Sequence, residues 1–182
     1  MNYIIAIPSY KRPETIKTKT LSLLNAHNIP KDKITIFVAN EDEYNEYQES
    51  LNNEYKIVVG VPTIGEQRNF IESYYDEGTN LVMFDDDVEG MFVKNENTLT
   101  PISNLENDFI IKGFKTCEET GAKCFGLYAA SNPYFMLHRT YTKLSYIIGC
   151  AFGVIVQHDE FLKRITNHGE DYEYSIRQYI KN

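Results

Sequence analysis

Short apolar runs and amphipathic stretches alternate along the first ninety residues, and no other feature of the chain narrows its fold so far. Tyr3-Ile4-Ile5-Ala6-Ile7 has the continuous apolar character of a strand buried on both faces, and Pro8-Ser9 ends it. Pro13-Glu14-Thr15 suits the first turn of a helix whose Ile16, Leu23, Leu24 and His27 share a face. A second strand follows at Ile34-Thr35-Ile36-Phe37-Val38-Ala39, then a helix capped by Asp42 and carrying Tyr44, Tyr47 and Leu51 on one side. Tyr55 to Val61 reads as a third strand. Thr63-Ile64-Gly65-Glu66 has capping-box spacing for a helix that packs Phe70, Ile71, Tyr74 and Tyr75 before Gly78 stops it. Leu81-Val82-Met83-Phe84 is the fourth strand. Successive strands joined through helices need right-handed crossovers, so the pattern predicts an α/β fold with one mostly parallel sheet and helices on both faces.

Beyond residue 90 the pattern loosens and grows more aromatic. A loop is expected over Lys94 to Asn104, then a helix through Ile110, Phe114 and Cys117 ending at Gly121. A strand from Cys124 to Ala129, the segment Asn132-Pro133-Tyr134-Phe135-Met136, an apolar run from Tyr146 to Val156 and a last helix from about Asp171 follow. With 182 residues and 21.1 kDa the chain suits a single domain with a sizeable core.

The fourth strand runs straight into Asp85-Asp86-Asp87. Ligands of open parallel sheets bind beyond the carboxyl ends of the strands, where Pro8-Ser9-Tyr10, Asn40-Glu41 and the three aspartates converge on one cleft. Adjacent carboxylates without fixed counter-charges repel, so the run points to a cation. Strand alternation through the run sets Asp85 and Asp87 on one side with Cα atoms ~6.6 Å apart, and turns Asp86 toward the sheet. Hard oxygens from one or two carboxylates, completed by water and phosphate oxygens, describe a Mg²⁺ or Mn²⁺ site bracketed by Asp85 and Asp87. The structural alternative is a solvated acidic turn.

Several chemistries drop out. Mononucleotide and dinucleotide folds place a glycine-rich turn after their first strand, whereas Pro8-Ser9-Tyr10-Lys11-Arg12 has no glycine. P-loop, dinucleotide and nucleotidyltransferase readings therefore fail. An aspartyl-phosphate phosphatase would carry D-x-D on its first strand with Thr or Val four positions after the first Asp; here the run is mid-chain and Glu89 holds that place. The metal of a nucleotide diphosphate sugar remains. Eighteen basic against 26 acidic residues give a net charge of −8, which announces no broad surface for nucleic acid, so a polyanion would have to meet a local patch. Glu41 to Glu54 alone carries six acids. Cys117, Cys124 and Cys150 lack the paired spacing of a structural zinc site and suit a reducing compartment. The apolar start is too short for a signal peptide and no run reaches ~18 apolar residues, so a cytoplasmic protein is expected.

Taken in order, Ile7-Pro8-Ser9-Tyr10-Lys11-Arg12-Pro13, Ile36-Phe37-Val38-Ala39, Gln67-Arg68-Asn69, Asp85-Asp86-Asp87-Val88-Glu89-Gly90, Asn132-Pro133-Tyr134-Phe135-Met136 and Gly169-Glu170-Asp171 resemble the TET-associated glycosyltransferases. These are GT-A fold enzymes found mostly in bacteriophages. The resemblance implies transfer of a sugar from a nucleotide diphosphate sugar, a UDP-sugar such as UDP-glucose, onto a 5-hydroxymethylpyrimidine such as 5-hydroxymethylcytosine in DNA, inside an infected bacterial cell. Residues 1–90 would then hold the donor and residues 91–182 the acceptor. The family pattern continues into a further strand after the Glu170-Asp171 helix, so the edge of the site is expected to be incomplete here or supplied by another subunit.

Under this resemblance Asp85 and Asp87 contact metal and ribose, and Asp86 makes a sheet-side hydrogen bond. Arg68, expected in the first turn of its helix, aims at the diphosphate together with the helix dipole, beside Gln67. Its structural alternative is a surface ion pair. Pro8, Ser9, Tyr10 and Arg12 follow the first strand, and Asn40 and Glu41 the second, all placed for base and ribose. Asp171, with Glu170, takes the acceptor proton in an inverting reaction or positions the acceptor in a retaining one, and both acids also suit a helix start. His168 is a better third metal contact than His158. Asn132, Tyr134, Phe135, His138 and Arg139 face the acceptor, with stacking on an extruded base or ordinary core packing as the two uses of the aromatics. Arg139, Lys143, Lys163 and Arg164 would touch phosphates. Two rivals share these residues: the same fold acting on a glycan or protein, and a non-catalytic module binding a cation or nucleotide.

Overall fold

Continuous apolar runs shape the centre of the structure, a computed structural model that describes residues 1–137 and 139–182; His138 lies outside the described residues. Strands β1 (Ile4–Pro8), β2 (Ile34–Val38), β3 (Lys56–Val59) and β4 (Asn80–Phe84) are parallel and lie in the order β3-β2-β1-β4. Ile5 stands opposite Ile34 on one side and Val82 on the other. Past a hairpin of β5 (Phe92–Asn95) and β6 (Thr98–Pro101), the short β7 (Cys124–Gly126) and then β8 (Ala151–Ile155) return to the sheet. β8 runs antiparallel to β4, with Phe152 opposite Met83, and β7 closes the edge.

Alternation along the strands builds two cores. Ile5, Ile7, Ile36, Val38, Val82 and Phe84 point to one face, where Ile16, Leu24, Tyr47 and Phe114 cover them. Ala6, Phe37, Leu81 and Met83 point to the other, against Ile71, Phe152 and Tyr174. The first face is covered by α1 (Pro13–Thr18), α2 (Thr20–Ala26), α3 (Glu41–Ser50) and α5 (Lys112–Thr120), the second by α4 (Ile64–Tyr74) and α6 (Glu170–Lys181). A helix on each face of a mostly parallel sheet is the arrangement the alternating pattern predicts.

Four local expectations are corrected. The first helix breaks at Lys19, which leaves Thr20 fully buried at the start of α2. Asn40, not Asp42, caps α3, its side-chain oxygen accepting from the Glu43 N–H at 3.0 Å. Thr63 has φ of 72° and caps nothing; the Gly65 N–H at the start of α4 donates instead to Asn167 Oδ1 at 3.2 Å. The expected loop over Lys94 to Asn104 holds the turn and most of the β5–β6 hairpin, turned at Glu96-Asn97 with Glu96 at φ of 53°. The β-formers of Phe92-Val93 and Thr98-Leu99-Thr100 were its signal, obscured by a turn without glycine.

Among the described residues no helix is long and apolar enough to cross a membrane. The three cysteines are free thiols. Phe125 lies clasped between Gly113 of α5 and Gly153 of β8: a Cβ at either glycine would come within 2.2 Å of its ring. Gly153→Ala therefore overpacks the sheet edge, and a loss of ~1–3 kcal/mol is expected. Thermal melting should show the midpoint falling by about 3–10 °C; an unchanged midpoint would contradict the clasp.

Candidate active site

At the carboxyl ends of β1, β2 and β4 opens a cleft of about 740 Å³. The loop after β1 forms one wall, and Lys11 takes a φ of 54° there without a glycine. Ser9 is buried and its hydroxyl donates to Asp86 Oδ2 at 2.5 Å. Because that uses its only proton, the 2.6 Å contact with Tyr47 must be a bond donated by the Tyr47 hydroxyl. Tyr47 in turn accepts from the Arg12 N–H at 2.9 Å. Tyr10 stays half exposed on the cleft wall, with Lys11 Nζ 5.0 Å from its ring centre.

The aspartate run departs from the strand reading. β4 ends at Phe84, so Asp85 to Asp87 form a turn and the alternation of faces stops before them. Thr20 pins this turn, donating to the Asp85 carbonyl at 2.7 Å and accepting from the Val88 N–H at 2.9 Å. Asp85 and Asp86 line the cleft, while Asp87 lies exposed outside its lining. The run also has fixed counter-charges, contrary to the premise that called for a cation. Arg12 places Nη2 2.6 Å from Asp86 Oδ1 and Nη1 3.3 Å from Asp87 Oδ2, and Arg68 Nη2 lies 2.6 Å from Asp85 Oδ1.

Arg68 is neither a first-turn residue nor a surface ion pair. It sits in the second turn of α4 with its side chain 2 % exposed. Besides Asp85 it binds Glu170 through Nη1 and donates from Nη2 to the Gly149 carbonyl at 2.9 Å. Glu170 also receives Arg164 Nε at 3.1 Å, and Arg164 Nη1 reaches Glu72 at 2.8 Å. Asp85, Arg68, Glu170, Arg164 and Glu72 thus form a line of alternating charge beneath the cleft. Burial pushes the Asp85 and Glu170 carboxyls above the usual carboxylate range; Arg68 pulls both back, joined at Glu170 by Arg164. Burial raises Asp86 likewise, against the Ser9 hydrogen bond and Arg12. Arg164, expected at phosphate, is instead buried here with Nη1 and Nε paired, and Lys163 pairs with Glu160 at 2.6 Å.

Asp171 differs from these acids. It lines the same cleft, accepting from the Tyr146 hydroxyl and from the Gly149 N–H at 3.1 Å. Tyr146 is itself stacked flat on Tyr172, ring centres 3.8 Å apart. No arginine or lysine pairs with Asp171 among the described residues, alone among the acids of the lining. Neither protein-family models nor curated proteins match this chain.

The remaining predicted residues divide. Pro8, Ser9, Tyr10, Arg12, Gln67 and Arg68 all reach the lining. Gln67, however, is buried and spends its amide on the scaffold, accepting from the Val61 N–H at 2.8 Å and donating to the Val38 carbonyl at 3.1 Å. Asn40 and Glu41 are exposed and lie outside the lining, Asn40 as the α3 cap. Asn132, Tyr134, Phe135 and Arg139 lie on the surface rather than in the cleft, and the core packing weighed for Tyr134 and Phe135 is overturned by exposures of 82 % and 60 %. His168 is exposed; His158 lies away from the cleft, its Nε2 2.9 Å from the Tyr75 carbonyl. Among the described residues no three His, Cys, Asp or Glu side chains gather into a metal cage. A cation shared with phosphate oxygens needs only one or two carboxylates. Sequence reasoning missed Thr20, Tyr47, Tyr146 and Gly149, which carry no local motif.

Proposed function

We propose that the protein is a metal-dependent GT-A glycosyltransferase that moves a sugar from a nucleotide diphosphate sugar, UDP-glucose as the first donor to try, to the 5-hydroxymethyl group of a pyrimidine in DNA. The observation that carries this reading is the meeting, in one cleft beyond the strand ends, of an acidic turn and a carboxylate, Asp171, that pairs with no arginine or lysine among the described residues. The parallel half-sheet β3-β2-β1-β4 flanked by a reversed strand is compatible with the GT-A arrangement. A cleft of about 740 Å³ falls in the size range of small-ligand sites.

In this reading Tyr10 offers a ring face to the donor base. Arg12, half exposed over Asp86 and Asp87, is placed to exchange part of that pairing for a phosphate. Asp85 and Asp87 would offer oxygens to a Mg²⁺ or Mn²⁺ ion: Arg68 holds Oδ1 of Asp85, and Asp87, exposed outside the lining, has a 3.3 Å contact to Arg12. When bound, such an ion supplies charge neutralisation to the departing diphosphate. Asp171 takes the proton from the acceptor hydroxyl as the oxygen attacks the sugar carbon and the bond to the diphosphate breaks. Tyr146 and the Gly149 N–H hold its carboxylate in place.

The test is incubation with UDP-glucose, Mn²⁺ and DNA with or without 5-hydroxymethylcytosine, read by mass. One hexose gained only by the modified DNA supports the proposal. Donor consumption with neither DNA altered moves the acceptor to a glycan or protein, and no consumption of any nucleotide sugar sinks the enzyme reading in favour of a binding module.

A further inference from the structure

All 26 acids of the chain lie outside residues 120–158, a stretch where an even spread would put about five or six. That segment holds Lys123, Arg139 and Lys143 and no carboxylate side chain, in a protein of net charge −8. It also carries four of the eight exposed aromatic side chains outside α6 among the described residues. Tyr134 and Phe135 are 82 % and 60 % exposed, with Tyr128 and Tyr141 also on the surface.

These rings do not hang from a loose loop. Asn132 accepts from the Tyr134 N–H at 3.0 Å through its side chain and from the Phe135 N–H at 3.1 Å through its carbonyl. The Tyr128 hydroxyl donates to the Phe135 carbonyl, and Lys94, from β5, donates to the Met136 carbonyl. Tyr134 and Phe135 meet edge to face at 5.1 Å, and Arg139 lies 4.5 Å over the ring of Tyr141. A hydrogen-bonded turn thus holds large ring faces in water, which a solvated surface does not call for. The same segment runs on to Tyr146, which grips Asp171, and to Ile148, Gly149 and Cys150 of the cleft wall.

We infer that residues 128–137 and 139–144 form a platform for single-stranded nucleic acid, and that the acceptor strand reaches the cleft unpaired. This rests on the DNA acceptor proposed above. Flat rings accept unpaired bases of any sequence, whereas they find no purchase on the stacked interior of a duplex. Two or three cations among no acids suit a short tract of single-strand phosphates and are few for a duplex backbone at net charge −8. An anionic membrane would also attract cations and rings. Continuity of the platform with the cleft wall favours the strand.

The experiment uses the whole protein and three probes: a labelled unmodified 20-nucleotide single strand, its duplex, and vesicles of phosphatidylcholine with phosphatidylserine. Fluorescence anisotropy should show the single strand bound at least tenfold more tightly than the duplex, weakening about tenfold between 50 and 200 mM salt. Removing the exposed rings in Tyr134→Ala/Phe135→Ala should weaken it ~5-fold or more per ring, with an unchanged thermal melt as the control for folding. Arg139→Ala should flatten the salt slope by about 0.7. Equal or tighter duplex binding, insensitivity to the double substitution, or capture by vesicles with no strand binding overturns the platform. Strand binding that obeys these rules without any sugar transfer leaves the platform standing and removes the transferase reading instead.

Discussion

Exchange of Asp171 for Asn is expected to lower sugar transfer by about 10²- to 10⁴-fold, the contribution of a positioned general base. Asparagine keeps the shape of the side chain and an oxygen to accept from the Gly149 N–H, which now lies 3.1 Å from Asp171 Oδ2. It cannot take a proton. Donor affinity should stay within about twofold if Asp171 serves the acceptor as proposed, and the thermal melt should move little. The measurement is single-turnover transfer beside a donor titration. A variant that transfers at the parental rate removes Asp171 from the chemistry. Loss of donor binding with the rate per bound donor intact would assign it to the donor instead. Tyr146→Phe separates holding from reacting: it leaves the carboxylate but removes the hydroxyl bonded to it, so a smaller fall in rate is expected than with Asp171→Asn.

Arg68→Met should cost more stability than any other single exchange near the cleft, ~3–5 kcal/mol. The side chain is 2 % exposed and neutralises Asp85 and Glu170 at once, while donating to the Gly149 carbonyl. Methionine fills much of the volume and none of the charge. Asp85 and Glu170, whose carboxyls burial already pushes upward, then hold protons to still higher pH. For a chain of this length the loss corresponds to a fall in thermal midpoint of roughly 6–20 °C. Arg68→Lys should recover only part of it, because one ammonium cannot span two carboxylates and a carbonyl as a planar fork does. A change below 1 kcal/mol is what a surface pair would give, and would refute the buried line of charge. Exchanging Arg68, Asp85 and Glu170 together for apolar residues should cost less than Arg68→Met alone, since the two carboxylates go with their partner and Arg164 keeps Glu72.

How much of this was legible beforehand depended on distance along the chain. β1, β2 and β4 declare themselves because strands covered on both faces must be apolar at every position. The end of α5 is equally plain: Gly121 adopts φ of 80° where a side chain would be strained. Caps were less legible, because Asn40 and Asp42 both suit the start of α3 and only the backbone decides which oxygen meets an N–H. Asp86 was expected to turn toward the sheet and does lie buried, but through a turn and the Ser9 hydroxyl rather than through strand alternation.

From the sequence by itself came the four parallel strands, their helical crossovers and the placing of an acidic run at the mouth of a parallel sheet, since each follows from periodicity within a few residues. It also holds the acid-free stretch of residues 120–158 in plain view. Which charge meets which partner was decided by the tertiary structure alone. Arg68 reaches Glu170 across 102 residues, Arg12 reaches Asp87 across 75, and Tyr146 reaches Asp171 across 25. Such pairings require atoms within about 3 Å, a condition that no local pattern encodes. They gave the three aspartates two arginine partners, one of them shared with Glu170, and left Asp171 without an arginine or lysine among the described residues.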